Sequence, residues 1–205
     1  MYDIYKDTKI QGDDYHNIHI SPTRDTVIIG NKQSFIYSKG GVKLLQENLH
    51  EFRTYNCPKD SYLVLGNGIG NKIVALKILH SNAYKLFVGS FVAHTYNITM
   101  KRYSNYYIAQ CEKEDFGYIW LSCCGNCENV SIDSEEELLL NQNNFIACHS
   151  DTRISNIGNE MLFDGPCTIM IQTQYKPCPS SNPTSIVENI IKSTNSNVRN
   201  KLRNI

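Results

Sequence analysis

The sequence lacks an excess of either charge, because 20 Lys and Arg residues balance 20 Asp and Glu residues. A protein without net charge has no long-range field that attracts nucleic-acid phosphates or an anionic membrane, so such binding requires a local patch. The sequence also lacks a run of about 18 apolar residues, the length expected of a transmembrane helix. We therefore expect no transmembrane segment.

The first residues lack the features of a targeting segment. Residues 1–7 have neither the apolar core of a secretory signal nor the Arg-rich, acid-poor composition of a transit peptide. The eight cysteines would suit a disulfide framework only in a small secreted chain. We therefore expect a cytoplasmic protein in which most thiols are reduced.

What the sequence does contain is a pattern that recurs three times, in which an apolar group is followed by a polar gap and then by Phe and an aliphatic residue. The Phe residues, Phe35, Phe91 and Phe145, lie 56 and 54 positions apart. A nearly constant period predicts one supersecondary unit used three times. The recurring stretches are 27–37, 86–93 and 138–147.

The residues between these stretches are rich in Tyr, Thr, Val and Ile, with glycine and asparagine turns between apolar runs. This composition predicts a single all-β domain over residues 1–174. Residues 1–24 are expected to form an edge strand that runs into a turn. The predicted repeats cover about 25–75, 76–130 and 131–174.

One segment of the first repeat departs from the strand pattern. We expect a short helix between Gly41 and Asn56, because the apolar residues there recur every three or four positions. These residues are Val42, Leu45, Leu49 and Phe52.

The composition changes after residue 174. Three prolines within 176–183 exclude regular structure, so we expect a linker over 175–184. Ser185 and Glu188 have the spacing of a capping box, and an apolar stripe follows. The sequence therefore predicts a C-terminal amphipathic helix over 185–205, which would dock on the β body, on another subunit or, least favoured, on an anionic membrane.

A cysteine cluster is the first candidate for chemistry. Cys124 and Cys127, next to Cys123, have the CxxC spacing that lets two thiolates bind one zinc ion. A structural zinc site needs two more ligands, and the sequence has no second CxxC. A redox pair would favour a helix N-terminus, whereas this cluster has a strand-and-turn context. We favour ordinary thiols in a turn and on a strand.

Three histidines are weaker candidates. His16 and His19 lie three positions apart in a predicted strand, so their side chains project to opposite faces and cannot share a metal. His94 follows an apolar run without a neighbouring nucleophile motif, and we interpret it as a hydrogen-bonded strand histidine.

Two further segments resemble known sites only partly. The glycine-rich segment 66–72 lacks the spacing of a phosphate-binding loop and precedes a predicted strand, so a hairpin or bulge turn is favoured. The acidic run 133–137 is interpreted as a solvated turn that protects a sheet edge.

A basic and aromatic segment has the composition of single-strand nucleic-acid surfaces, although two charges make a weak patch. Its residues are Lys101, Arg102, Tyr103, Tyr106 and Tyr107.

Residues 86–93, 139–147 and 163–173 together resemble the altered-inheritance-of-mitochondria family of mitochondrial-biogenesis proteins. The fold of that family is likened to that of the tryptophan RNA-binding attenuation protein, and the resemblance covers about residues 25–174. It implies a TRAP-like antiparallel β-sandwich of three internal repeats in pseudo-threefold arrangement. It carries over no catalytic, cofactor-binding or metal-binding residues, and it implies an association with mitochondria.

The function expected is that of a non-enzymatic interaction or assembly module that binds a protein partner or itself. One alternative is a ligand-binding or nucleic-acid-binding module with a groove between repeats. Others are a structural component of a virion or assembly, and a metal or redox protein that uses Cys123, Cys124 and Cys127.

Overall fold

The computed structural model describes residues 3–13, 15–47, 51–66, 71–112 and 114–174. This part of the chain is all-β, with 19 strands and four 3-10 helices of three or four residues, so the predicted all-β class is confirmed. None of the described helices is long and apolar enough to cross a membrane. The predicted linker 175–184 and C-terminal helix 185–205 lie outside the described residues.

The strands are numbered in chain order. They are β1 (Thr8–Gln11), β2 (Asn17–Ile20), β3 (Thr26–Asn31), β4 (Phe35–Lys39), β5 (Lys43–Glu47), β6 (Phe52–Cys57), β7 (Tyr62–Gly66), β8 (Asn71–Leu79), β9 (Ala83–Phe87), β10 (Phe91–Thr95), β11 (Ile98–Arg102), β12 (Tyr106–Cys111), β13 (Phe116–Cys124), β14 (Cys127–Ile132), β15 (Glu137–Asn141), β16 (Phe145–His149), β17 (Arg153–Ile157), β18 (Glu160–Asp164) and β19 (Cys167–Gln172).

Within the described residues these strands form four sheets of antiparallel neighbours. The first sheet has the order β1-β2-β7-β4, and the second has the order β5-β6-β3-β10-β13-β8. The third has the order β11-β12-β9-β16-β19-β14, and the fourth has the order β15-β18-β17. Each apolar core combines residues from two consecutive sheets.

The second sheet contributes to two cores, one on each face. Val92 and Trp120 pack in the core shared with the first sheet, whereas Phe91 and Ile119 pack in the core shared with the third. A strand that is covered on both faces needs apolar residues at successive positions. This explains why apolar residues occupy successive positions in β10 and β13.

The helix predicted between Gly41 and Asn56 is wrong, because the described residues of this segment form β5 and β6. Leu44 lies opposite Tyr55 and Gln46 lies opposite Thr54, so Leu45 is an extra, unpaired residue in β5. An extra residue of this kind is a β-bulge, which interrupts the alternation of a strand. Because the bulge interrupts the alternation in β5, the apolar residues of this segment are spaced as they would be in a helix. Leu49 lies outside the described residues.

The three recurring Phe residues share one local structure. A 3-10 helix ends immediately before each Phe, at Lys32–Ser34, Val88–Ser90 and Gln142–Asn144. Each Phe begins a strand, and in each case the register with the neighbouring strand shifts within two residues of it. The sequence period therefore marks a recurring backbone turn.

Candidate interaction site at two sheet edges

The strands that begin at the three Phe residues differ in what lies beside them. β10 is hydrogen-bonded to β3 on one side and β13 on the other, and β16 is hydrogen-bonded to β9 and β19. Among the described strands, β4 is paired with β7 alone and ends the first sheet. The outer side of β4 is therefore an open sheet edge.

The side chains of β4 are correspondingly exposed. Phe91 is 1% exposed in β10, whereas Phe35, its counterpart in β4, is 37% exposed. Ile36 and Tyr37 are 47% and 40% exposed. Three consecutive large apolar residues on an open edge form a template for the addition of another strand.

A second open edge is formed by β15. The strands β3, β9 and β15 each precede one of the recurring 3-10 helices. β3 and β9 pair with strands on both sides, whereas β15 is paired with β18 alone in the described structure. Leu138 and Leu140 pack toward the core. Leu139 points to the other face and is 51% exposed.

Aromatic side chains support β4 from its own sheet and from β6. The Phe35 ring stacks on the Tyr55 ring at 5.7 Å between centroids, and the Tyr37 ring lies 6.0 Å from the Tyr62 ring. The Tyr62 hydroxyl shares a 2.5 Å hydrogen bond with His19 Nδ1. These contacts hold the edge in a defined shape before any partner binds.

The structure does not bring the two N-terminal histidines together. His19 contacts Tyr62, and burial lowers the pKa of its imidazole, which favours the neutral ring. His16 Nδ1 instead accepts a 3.2 Å hydrogen bond from the Ile73 amide. Each histidine therefore has a separate structural contact.

His94 is 3% exposed and lies against the rings of Phe52 and Phe91. Its Nδ1 donates a 2.7 Å hydrogen bond to the Thr95 carbonyl oxygen. Burial lowers the pKa of His94 to about 4. The interpretation of His94 as a hydrogen-bonded strand histidine is confirmed.

The structure brings Cys123 into contact with Cys127. The Cys123 thiol hydrogen-bonds to Cys127, which raises the pKa of Cys123 and lowers the pKa of Cys127. Cys124 lies at the end of β13, and its amide donates to the Gln172 side chain at 2.8 Å. Among the described side chains, no group of three His, Cys, Asp or Glu residues is placed to hold a metal ion.

The basic and aromatic segment forms the β11–β12 hairpin. Arg102 is ion-paired with Glu51, which also accepts a 2.6 Å hydrogen bond from the Tyr107 hydroxyl. The Tyr103 and Tyr106 rings stack at 5.3 Å. Because Glu51 offsets the charge of Arg102, the hairpin offers little positive field to a nucleic-acid strand.

The glycine-rich segment does not join a hairpin. Gly66 ends β7 and Asn71 begins β8, but these strands belong to different sheets; residues 67–70 lie outside the described residues. β7 already has β2 and β4 on its two sides, so no side of it is left for β8. The hairpin alternative is therefore wrong, and the bulge-turn alternative concerns residues outside the described part of the chain. The predicted strand after the glycines is confirmed.

The acidic run is placed as predicted, in a turn before an edge strand. The Glu136 amide donates to the Asp133 carbonyl oxygen at 3.1 Å, and the Asp133 amide donates to the Glu136 carboxylate at 3.1 Å. Glu137 then begins β15. Exposed negative charge therefore lies at the start of the open edge of the fourth sheet.

A polar cleft of about 630 Å³ lies between the residues before β3 and the ends of β10 and β13. The Tyr96 hydroxyl donates a hydrogen bond to Glu114, which raises the pKa of Tyr96. Asn97 donates a 2.6 Å hydrogen bond to the Phe116 carbonyl oxygen. Arg24 and Asp25 line the opposite wall. The cleft is open and carries charges of both signs.

No protein-family profile matches the chain, and no curated protein matches it. Seven chains of solved structures do. One is the crystal structure of protein SPYM3_0169 from Streptococcus pyogenes, with a TM-score of 0.66 and 18% sequence identity over 82% of this chain and 93% of that chain. At this identity the likeness shows the fold alone.

Proposed function

We propose that this protein is a non-enzymatic assembly module, built from three copies of one β unit, that binds other proteins through its open sheet edges. The observation that carries the proposal is the exposure of Phe35, Ile36 and Tyr37 on β4. The corresponding residues of β10 and β16 are buried beside a neighbouring strand. An extended segment of a partner could add to such an edge by main-chain hydrogen bonds.

The pairing order supports the division into three units. In each proposed unit, the last strand (β7, β13 or β19) lies between the first strand (β2, β8 or β14) and the strand that begins at the recurring Phe. The other three strands of each unit pair in the orders β3-β6-β5, β9-β12-β11 and β15-β18-β17. The units therefore begin at β2, β8 and β14, a few residues before the boundaries at about 25, 76 and 131 that the sequence period suggested. Their pseudo-threefold arrangement is part of the proposal.

The resemblance to the altered-inheritance-of-mitochondria family belongs to the same proposal. The spacing of Phe35, Phe91 and Phe145 and the antiparallel all-β fold support it. An assembly role agrees with this resemblance, because no catalytic residues carry over from that family. The association with mitochondria stays a prediction.

A random-peptide display library panned against the immobilised full chain tests edge binding without a known partner. We expect enrichment of extended peptides with alternating apolar residues, whose binding is lost in Ile36→Lys. Binding should persist in Ile157→Lys, which alters a residue of similar exposure on β17. Enriched peptides whose binding is unchanged by substitutions in β4 and in β15 would contradict the proposal.

The polar cleft favours a second candidate function, the binding of a small polar ligand between the first and second units. Its lining residues come from both units, and Glu114 and Asp25 supply acceptors. A native mass spectrum of the full chain, purified under reducing conditions, should then show stoichiometric extra mass that Glu114→Gln removes. A bare polypeptide mass would rule out a retained ligand.

A further inference from the structure

We propose that Cys127 and Cys123 form a redox modification site, at which a hydroperoxide oxidises Cys127 and Cys123 then converts the product to a Cys123–Cys127 disulfide. Cys127 is the attacking thiolate and Cys123 is the resolving thiol. The site uses neither of the open edge strands, β4 and β15, so it goes beyond the proposed function.

The fold brings the two thiols together from different sheets. Cys123 lies near the end of β13 in the second sheet, and Cys127 begins β14 in the third sheet. Both contribute to the apolar core that these sheets share. The Cys123 thiol donates a hydrogen bond to the Cys127 sulfur. A disulfide therefore needs only a small further approach of two sulfurs that are already in contact.

The turn between the two cysteines is held by the end of β19. The Asn126 amide donates to Thr173 Oγ1 at 2.9 Å, and the Gln174 amide donates to the Cys124 carbonyl oxygen at 3.2 Å. Gly125 has a φ of +71°, and an added Cβ would lie 2.7 Å from Thr173 Oγ1. The backbone therefore places the thiols in contact before an oxidant arrives.

The two thiols differ in exposure and in acidity, which assigns their roles. Cys123 is 1% exposed, whereas Cys127 is half-buried. Their hydrogen bond raises the pKa of Cys123 and lowers the pKa of Cys127, and Glu128 acts against the second shift without reversing it. The hydrogen bond takes the role that a helix N-terminus has in other redox pairs. Because the thiolate is the nucleophile, Cys127 reacts first.

A lysine lies beside the pair on the second sheet. Lys72 is opposite Cys123 in the pairing of β8 with β13, and opposed residues of paired strands share a face of the sheet. Its Nζ donates to Asn126 Oδ1 at 2.8 Å, so the ammonium group lies at the turn. The positive charge favours the thiolate of Cys123, which is the form that the second step requires.

The reaction balances with one hydroperoxide for each pair of thiols. The Cys127 thiolate attacks one peroxide oxygen, so that an S–O bond forms, the O–O bond breaks, and the leaving alkoxide or hydroxide takes up the proton that the thiol had released. Cys123 then loses its proton and attacks the Cys127 sulfur, so that an S–S bond forms and the S–O bond breaks. The departing hydroxide takes this proton and leaves as water. The thiols lose two electrons, which the O–O bond accepts.

Other cysteines of the described chain supply internal controls. Burial raises the pKa of Cys57 to about 12 and that of Cys148 to about 11. Both side chains are at most 2% exposed. A buried thiol with a raised pKa is a poor nucleophile. We therefore expect both residues to stay reduced when the Cys123–Cys127 pair is oxidised.

Differential alkylation of the wild-type full chain tests the proposal. The reduced protein is treated with a small molar excess of hydrogen peroxide and then denatured in N-ethylmaleimide, which blocks every remaining thiol. Thiols released by later reduction are labelled with iodoacetamide. Fragmentation of the peptides in a mass spectrometer then assigns one of the two labels to each cysteine. Because the test uses the wild type, it does not depend on the folding of a variant.

We expect Cys123 and Cys127 to carry at least about tenfold more of the second label than Cys124 and Cys148. Cys124 is the matched control, because it is half-buried as Cys127 is and belongs to the same turn. Dithiothreitol added after the peroxide should remove the second label from the pair. A second label on Cys124 and Cys127 would identify the CxxC pair instead and overturn the proposal. Sulfinic or sulfonic acid at Cys127 without a disulfide would also overturn it.

Three variants separate the two steps. Cys123→Ala removes the resolving thiol, so Cys127 should accumulate as a sulfenic acid that dimedone traps, whereas the wild type should give little of this adduct. Cys127→Ser should leave Cys123 reduced. Cys124→Ser should form the disulfide as the wild type does. Loss of the disulfide in Cys124→Ser, or oxidation of Cys123 in Cys127→Ser, would contradict the assigned roles.

Discussion

β4 and β10 have the same local structure and opposite surroundings. Each follows a 3-10 helix, begins at Phe and shifts register within two residues. β10 lies between two strands and is buried throughout, whereas β4 lies beside one described strand and is largely exposed. Local sequence determined the shape of both strands, and the neighbouring strand determined which one is covered.

The two strands also differ in side-chain size at one position. Ala93 in β10 faces Gly30, where an added Cβ would lie 3.4 Å from the side chains of Leu65 and Tyr55. The corresponding residue of β4 is Tyr37, on the open edge. The small residues Gly30 and Ala93 leave room for the side chains of Leu65 and Tyr55, because protein interiors are packed without spare volume.

The largest expected contrast is in the cost of removing the two Phe rings. Phe91 packs against Phe52 and Tyr107 in a buried core, so Phe91→Ala should lower the free energy of unfolding by about 3–5 kcal/mol. Phe35→Ala should lower it by only about 1–2 kcal/mol, because Phe35 is 37% exposed and buries less apolar area. Urea unfolding of dilute protein measures both. Equal costs would mean that β4 is covered in the isolated chain.

The buried His94 in β10 allows the comparison of β4 and β10 to be tested by changing the pH. Its folded pKa of about 4 lies below the unfolded value of about 6.5. The unfolded chain therefore binds more protons between these values, and stability falls as the pH falls from about 6.5 to about 4. The free energy of unfolding should fall by about 3 kcal/mol because of His94, in addition to the effect of other groups.

The measurement for His94 is the difference in urea unfolding between the wild type and His94→Gln across this pH range. The matched control is Ser38→His, because Ser38 occupies the position of His94 on the open strand. We expect it to add little pH dependence. If both histidines behaved alike, the difference in burial between β4 and β10 would be refuted.

Thiol reactivity sharpens the comparison between β4 and β16. Cys148 is buried in β16, and burial raises its pKa to about 11. Only the thiolate reacts with alkylating agents. In dilute protein, iodoacetamide should therefore modify Ser38→Cys at least about tenfold faster than it modifies Cys148, because position 38 is only half-buried and a free thiol has a pKa of about 8.5.

Peptide mass spectrometry after timed alkylation measures both sites in one sample. A rate at position 38 that is as slow as that of Cys148 in dilute protein would show that this edge is covered within a single chain.

The smallest expected effect concerns the 3-10 helices. Asn31 and Asn141 cap two of them by accepting 3.0 Å hydrogen bonds from the Gln33 and Asn143 amides, whereas Phe87 precedes the third without a side-chain cap. Asn31→Ala and Asn141→Ala should each lower the free energy of unfolding by about 0.5–1 kcal/mol. Thermal or urea unfolding detects this loss. A negligible cost at both sites would mean that packing alone holds all three turns.

Sequence reasoning found the all-β class, the recurring Phe positions and the acidic turn before β15. It missed the bulge at Leu45, because a bulge and a helix both break the alternation of apolar residues. The open edge at β4 was missed for a related reason, since Phe35 and Phe91 belong to the same recurring sequence pattern.

By itself the sequence determined where strands begin and which residues alternate, because turn chemistry and apolar periodicity act over a few neighbouring residues. The tertiary structure alone decided which strands lie side by side. It buried Phe91 beside β3, left Phe35 on an edge and brought Cys123 to Cys127. Pairing across more than 50 residues depends on which edges remain available after the other strands have paired, and no local pattern records that.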